Sequence, residues 1–114
     1  MAIKYSEEIF KDITSASIEE KIMPIINAEY LQLVVTGSAT SFKLKIYAQV
    51  NNDEEFFSVA AISDKDFMIN NPISAIGLYK VDVSCFLRVK FVVEELEGGT
   101  LSCTGLVVSA KWWI

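Results

Sequence analysis

The sequence contains no histidine. That removes the commonest general acid–base group, and with it any Ser-His-Asp or Cys-His nucleophilic arrangement. Glycines number five and are dispersed, so neither a phosphate-cradling loop nor a dinucleotide fingerprint is present. Two cysteines without histidine are too few for a zinc site. No segment approaches the roughly 18 apolar residues that a membrane-spanning helix needs. The amino terminus, Met1 to Glu8, carries charge where a signal peptide needs an apolar run. The chain is therefore expected to be made and assembled in the cytoplasm, without a membrane partner. In that compartment Cys85 and Cys103 would stay reduced, although their places in neighbouring predicted strands allow a disulfide.

Basic charge is also scarce. Ten basic residues face fifteen acidic ones, for a net charge of −5. A nucleic-acid binder draws most of its affinity from a basic patch. Here only Lys43/Lys45 and Arg88/Lys90 come close together. Both pairs alternate along predicted strands, as on a solvated sheet face. Nucleic acid is not expected as a partner.

What the chain does have is apolar material in a regular pattern. At 114 residues, 52% hydrophobic and 22% charged, it has the length and density for one domain spanning 1–114 with its own core. From Phe42 to Val50 the apolar side chains fall on every even position, the period of a half-buried antiparallel strand. Leu87, Val89, Phe91 and Val93 repeat this on odd positions, as do Leu31, Leu33 and Val35, and Tyr79, Val81 and Val83. Strands are predicted near 30–36, 41–50, 55–62, 66–70, 76–84, 86–96 and 100–112. Segments 8–15 and 19–26 read as extended, with Pro24 at an edge. Residues 1–28 read as an amino-terminal arm or as edge strands.

Turn chemistry separates these runs. Thr36-Gly37-Ser38-Ala39-Thr40 is short enough for a hairpin, 51–55 forms an acidic turn, and Glu97-Gly98-Gly99-Thr100 forms another turn. Asn70-Asn71-Pro72 should end a strand. In the last strand the apolar parity changes at Gly105, which suggests a β-bulge there; burial of that strand on both faces, by the second sheet and by a neighbouring subunit, is the alternative. The predicted fold is all-β, an antiparallel β-sandwich of jelly-roll or Ig-like topology with about seven to nine strands.

Carboxylates cluster at Asp53/Glu54/Glu55, Asp64/Asp66 and Glu94/Glu95/Glu97. Each group lies at a predicted turn or strand end, where acids keep loops wet. Asp64-Lys65-Asp66 has too few acids for more than a weak calcium site. No catalytic, cofactor-binding or metal-ligating residue is assigned, and the protein is expected not to be an enzyme. The exposed aromatics offer contacts instead. Tyr47 points away from the core face of its strand, one of Phe56 and Phe57 must face outward, and Trp112 and Trp113 stand beside the last residue. Tyr47, Trp112 and Trp113 are the candidate interface residues. A protein contact, a sugar-stacking platform or simple closure of the core's rim would each suit such residues.

Several segments carry a resemblance. Tyr30 to Phe42, with Val35-Thr36-Gly37-Ser38-Ala39-Thr40-Ser41-Phe42, is similar to the V-x-G-x-A-T-S-F hairpin of small β-sandwich virion proteins of tailed bacteriophages and prophages. Phe57 to Ile62 resembles their hydrophobic segment after an acidic turn, and Gly77-Leu78-Tyr79-Lys80-Val81-Asp82-Val83-Ser84 their G-l-Y-x-V-D-V-S-G strand. Leu87 to Lys90 resembles their basic strand, and Gly98 to Gly105 their final one. Cys85 departs from the pattern, standing where glycine is preferred. The likeness runs over about 28–110. It implies a structural component of a phage particle, a capsid-decorating protein or else a tail or baseplate subunit, with other virion proteins and further copies of itself as partners. The alternative is a carbohydrate-binding module of a tail fibre that meets glycan on the host surface. The resemblance brings no catalytic residues with it.

Overall fold

The computed structural model describes residues 2–15, 20–25, 28–50, 55–84 and 86–109. Among them are ten strands and no helix: β1 (Ala2–Ile13), β2 (Glu20–Pro24), β3 (Tyr30–Gly37), β4 (Ser41–Gln49), β5 (Phe57–Val59), β6 (Ala61–Ser63), β7 (Ile69–Asn70), β8 (Gly77–Asp82), β9 (Arg88–Glu97) and β10 (Leu101–Ser109). They form two antiparallel sheets. One has the order β1-β10-β3-β8-β6-β7 and the other β2-β9-β4-β5. The molecule is an antiparallel β-sandwich, as the alternation predicts.

Alternation selects the buried face. Leu31, Leu33, Val35, Tyr79 and Val81 line the inner side of the six-stranded sheet. Phe42, Leu44, Ile46, Val89, Phe91 and Val93 come from the four-stranded sheet to join them in one core. Val50 and Leu87, expected to point inward, lie just beyond the ends of β4 and β9 and are exposed. The amino-terminal segment supplies one outer strand to each sheet. β1 closes one edge of the larger sheet and β2 one edge of the smaller, and Lys21 of β2 pairs with Glu7 of β1 at 3.1 Å. Pro24 ends β2 on that open edge, where a missing amide donor costs least.

Three sequence expectations are corrected. The 36–40 turn is not a hairpin. Both flanks of β3 are taken by β8 and β10, so its chain leaves for the other sheet, and β9 returns across the same gap to β10. The two crossings lock together. Ser38 N and Ala39 N both donate to Thr100 O at 3.0 Å, Thr40 N donates to Glu97 O at 3.0 Å, and Thr100 N donates to Ser38 Oγ at 3.1 Å.

The predicted strand 55–62 is in fact two. β5 pairs with β4 in the smaller sheet, and after Ala60 the chain continues as β6, which pairs with β8 in the larger. Its run of consecutive apolar residues has no single inward face to impose.

Gly105 is not a bulge either. β10 keeps unbroken register with β3, and residues 101, 103, 105 and 107 all stay buried. The irregularities belong to β1, between Ile3 and Tyr5, Glu8 and Phe10, and Phe10 and Ile13. A Cβ on Gly105 would sit 3.1 Å from Ile9 Cδ1 and 3.3 Å from Leu31 Cδ1, so glycine makes room for two core side chains. Val108 and Ser109 are buried as well, so the end of β10 is covered on both faces within this chain.

Cys103 is a free thiol with no exposed surface. Burial in apolar surroundings pushes its pKa up to about 12. The thiolate, the reactive form, is therefore withheld. In a Cys85→Ser background, Cys103 is expected to resist a thiol reagent at pH 8 in native buffer and to react within minutes in denaturant. Equal rates would mean that this part of the core opens freely.

Candidate interaction surface

On the outer face of the smaller sheet, antiparallel register sets Tyr47 of β4 opposite Lys90 of β9. Lys90 Nζ stands 5.3 Å from the centre of the Tyr47 ring and 4.7 Å from that of Phe56, within cation–π range of both. Tyr47 does face outward, half-buried beneath this lysine. Phe56 shares the cluster, while its neighbour Phe57 is exposed. Lys43 pairs with Glu95 at 3.5 Å, so Lys43 and Lys90 of this face are engaged with acidic and aromatic neighbours. Trp112, Trp113 and Cys85 lie outside the described residues.

The acidic pair Asp64/Asp66 belongs to a turn. Between β6 and β7, Phe67 N donates to Ser63 O at 2.8 Å and Ser63 N to Met68 O at 3.0 Å. Met68 N donates to Asp66 Oδ1 at 3.0 Å, and Gln32 Nε2 reaches Asp64 Oδ2 at 3.0 Å. Each carboxylate thus holds a donor, and the turn closes tightly around them. The consequence falls on Phe67. Its φ is +60°, a left-handed conformation that bulky residues rarely adopt, and its side chain is 79% exposed. Met68 and Ile69 follow at 63% and 73%.

This hairpin is the centre of an apolar surface. Ile62 pairs with Ile69 across β6 and β7 on the outer face of the larger sheet, and Ile62 lies opposite Lys80 of β8. Leu78 and Ile76 continue the exposed apolar surface at the start of β8. The two segments are tied by Asp64 N, which donates to Leu78 O at 2.9 Å, and they flank a common cleft. Next to it, Glu29, Tyr30, Ile62, Lys80 and Asp82 line a shallow cavity of about 320 Å³. Lys80 Nζ lies 4.1 Å over the Tyr30 ring. The Ser84 amide and hydroxyl hold the Asp82 carboxyl below its usual range. Tyr79, beneath, donates to Ala75 O at 2.7 Å, and burial followed by the charge of Asp66 raises its pKa.

None of these six apolar residues was singled out by the pattern of the sequence, which pointed to Tyr47 and the tryptophans. The signal was present in Phe67-Met68-Ile69. Three successive apolar residues between Asp66 and Asn70 cannot all face a core from a strand.

No family model matches the chain, and no curated protein matches it in sequence. Among solved structures, the sandwich is similar to the SPBc2 prophage-derived protein YomS. The identity is 21%, over 90% of this chain and 91% of that one, with a TM-score of 0.77. It is also similar to the PBSX exported protein XepA, with 21% identity and a TM-score of 0.80. That match covers 92% of this chain but spans only 37% of the XepA chain. At this identity the likeness establishes the fold.

Proposed function

We propose that the chain is a non-enzymatic structural protein of a phage or prophage particle, foremost a capsid-decorating protein and otherwise a tail or baseplate subunit. The observation that carries this reading is the fold shared with SPBc2 prophage-derived YomS along nearly the whole length of both chains. The surface supports it. A sandwich whose Asp64 and Asp66 carboxylates hold a turn together, and which exposes Phe67, Met68 and Ile69 on that turn, is built to be covered by protein. The net charge of −5 keeps such a subunit soluble until it assembles. Its place is then the virion. The glycan reading needs an open aromatic face, and on the smaller sheet Lys90 already sits over both Tyr47 and Phe56.

Particles purified on a density gradient, after induction of the strain that carries this sequence, decide the matter. The protein is expected to sediment with them at a fixed ratio to the major capsid protein and to survive a high-salt wash. Separated heads and tails then distinguish decoration from tail assembly. A protein found only in the soluble fraction would overturn the reading.

A further inference from the structure

We propose that the β6–β7 hairpin and the adjoining start of β8 form a docking surface for a second copy of this chain. The proposal rests on reading the patch as an assembly surface, but not on which particle is assembled.

Size comes first. Ile62, Phe67, Met68, Ile69, Ile76 and Leu78 are all exposed large hydrophobics. Together they present roughly 700 Å², backbone included, which puts their apolar part at the upper end of the ~300–600 Å² of the largest apolar patch on a typical monomer. The value is close to the ~800 Å² that each partner buries in a standard protein interface.

Charge then selects the occupant. Lys65 and Lys80 stand among Asp64, Asp66 and Asp82 around the same hairpin and sheet face. A surface with both signs interspersed can meet its own copy, lysine against aspartate, whereas a partner of one sign would gain on some groups and lose on others. A lipid surface is disfavoured, because Asp64 and Asp66 share the turn of the protruding Phe67 and the chain is acidic as a whole.

Backbone strain agrees. Phenylalanine at φ +60° costs the monomer stability and gains nothing from burial at 79% exposure. An interface that buries its ring gives that conformation a use. Asparagine tolerates the left-handed region better than any bulky residue, so Phe67→Asn removes the ring without harming the turn.

The test is sedimentation velocity of the full chain over a wide concentration range, for the native protein, Phe67→Asn and Ile69→Asp. The native protein is expected to associate, and each variant to weaken association about 30-fold or more, as loss of a central contact does. Both variants should keep the native circular dichroism spectrum and an unfolding midpoint at least equal to that of the dissociated protein. A native protein monomeric at every concentration overturns the proposal, as do variants that associate like the native chain. Flotation with phosphatidylcholine vesicles is run in parallel, and native protein that floats while monomeric makes the occupant a membrane. Particle incorporation is scored separately. A monomer still found on particles leaves the virion reading standing without this one, and an oligomer absent from particles does the reverse.

Discussion

Gly37→Ala is expected to lower stability by about 3 kcal/mol or more, a large share of the ~5–15 kcal/mol that holds a domain of this size. Two costs combine. Gly37 has φ +138°, a region closed to residues with a side chain, and an added Cβ would press into the backbone carbonyl oxygen of Thr100. That carbonyl cannot retreat, because it accepts from both Ser38 N and Ala39 N. The facing turn is equally constrained. A Cβ on Gly99, at φ +150°, would lie 2.6 Å from the backbone carbon and oxygen of Ser38. The two crossings touch where neither can move away from the other.

Gly77→Ala separates the two costs. Its φ of +151° imposes the same kind of strain, but the nearest atom to an added Cβ is Tyr79 Cε1 at 3.8 Å, an ordinary contact. It should therefore cost about 1–2 kcal/mol in urea titration, appreciably less than Gly37→Ala. Equal losses would mean that the crossings slide apart easily and that only backbone strain matters.

That junction also shows what could be read in advance. The strands were legible because burial on one face imposes a period of two, and Leu31-Gln32-Leu33-Val34-Val35 can satisfy it in only one register. Where the strands go after a turn was not legible. Gly-Ser and Gly-Gly chemistry serves a hairpin and a crossing between sheets equally, and the choice depends on β8 and β10 occupying both flanks of β3.

Gly105 misled for a related reason. Leu106 and Val108 are apolar on the outer face, so a shift in apolar parity did not mark a shift in backbone. The candidate surface lay in a different blind spot. Periodicity identifies residues that must be buried, and Phe67, Met68 and Ile69 are conspicuous because the fold leaves them out. Tyr47 was placed correctly on an outer face, but its partner Lys90 is 43 positions away and only the register of β4 with β9 brings them together.

Phe91→Ala should cost about 3–5 kcal/mol, the range for removing a buried aromatic ring. Phe91 lies on β9, between β2 and β4, and has no exposed surface. Its cross-strand partner on β4 is Ile46, with Lys21 opposite on β2. Packing of the two sheets depends on side chains like this one, and with strands on both sides the site cannot collapse freely to fill the space. The midpoint of thermal unfolding should fall by about 15 °C.

The same substitution separates stability from association. The apolar hairpin belongs to the six-stranded sheet, whereas Phe91 reaches the core from the four-stranded one. Folded Phe91→Ala molecules, held well below the new midpoint, should therefore associate with native affinity, while Ile69→Asp molecules unfold no lower than the dissociated native protein and associate about 30-fold or more weakly. Association lost in step with stability in Phe91→Ala would show that the surface depends on the rigidity of the whole sandwich rather than on the residues at the hairpin.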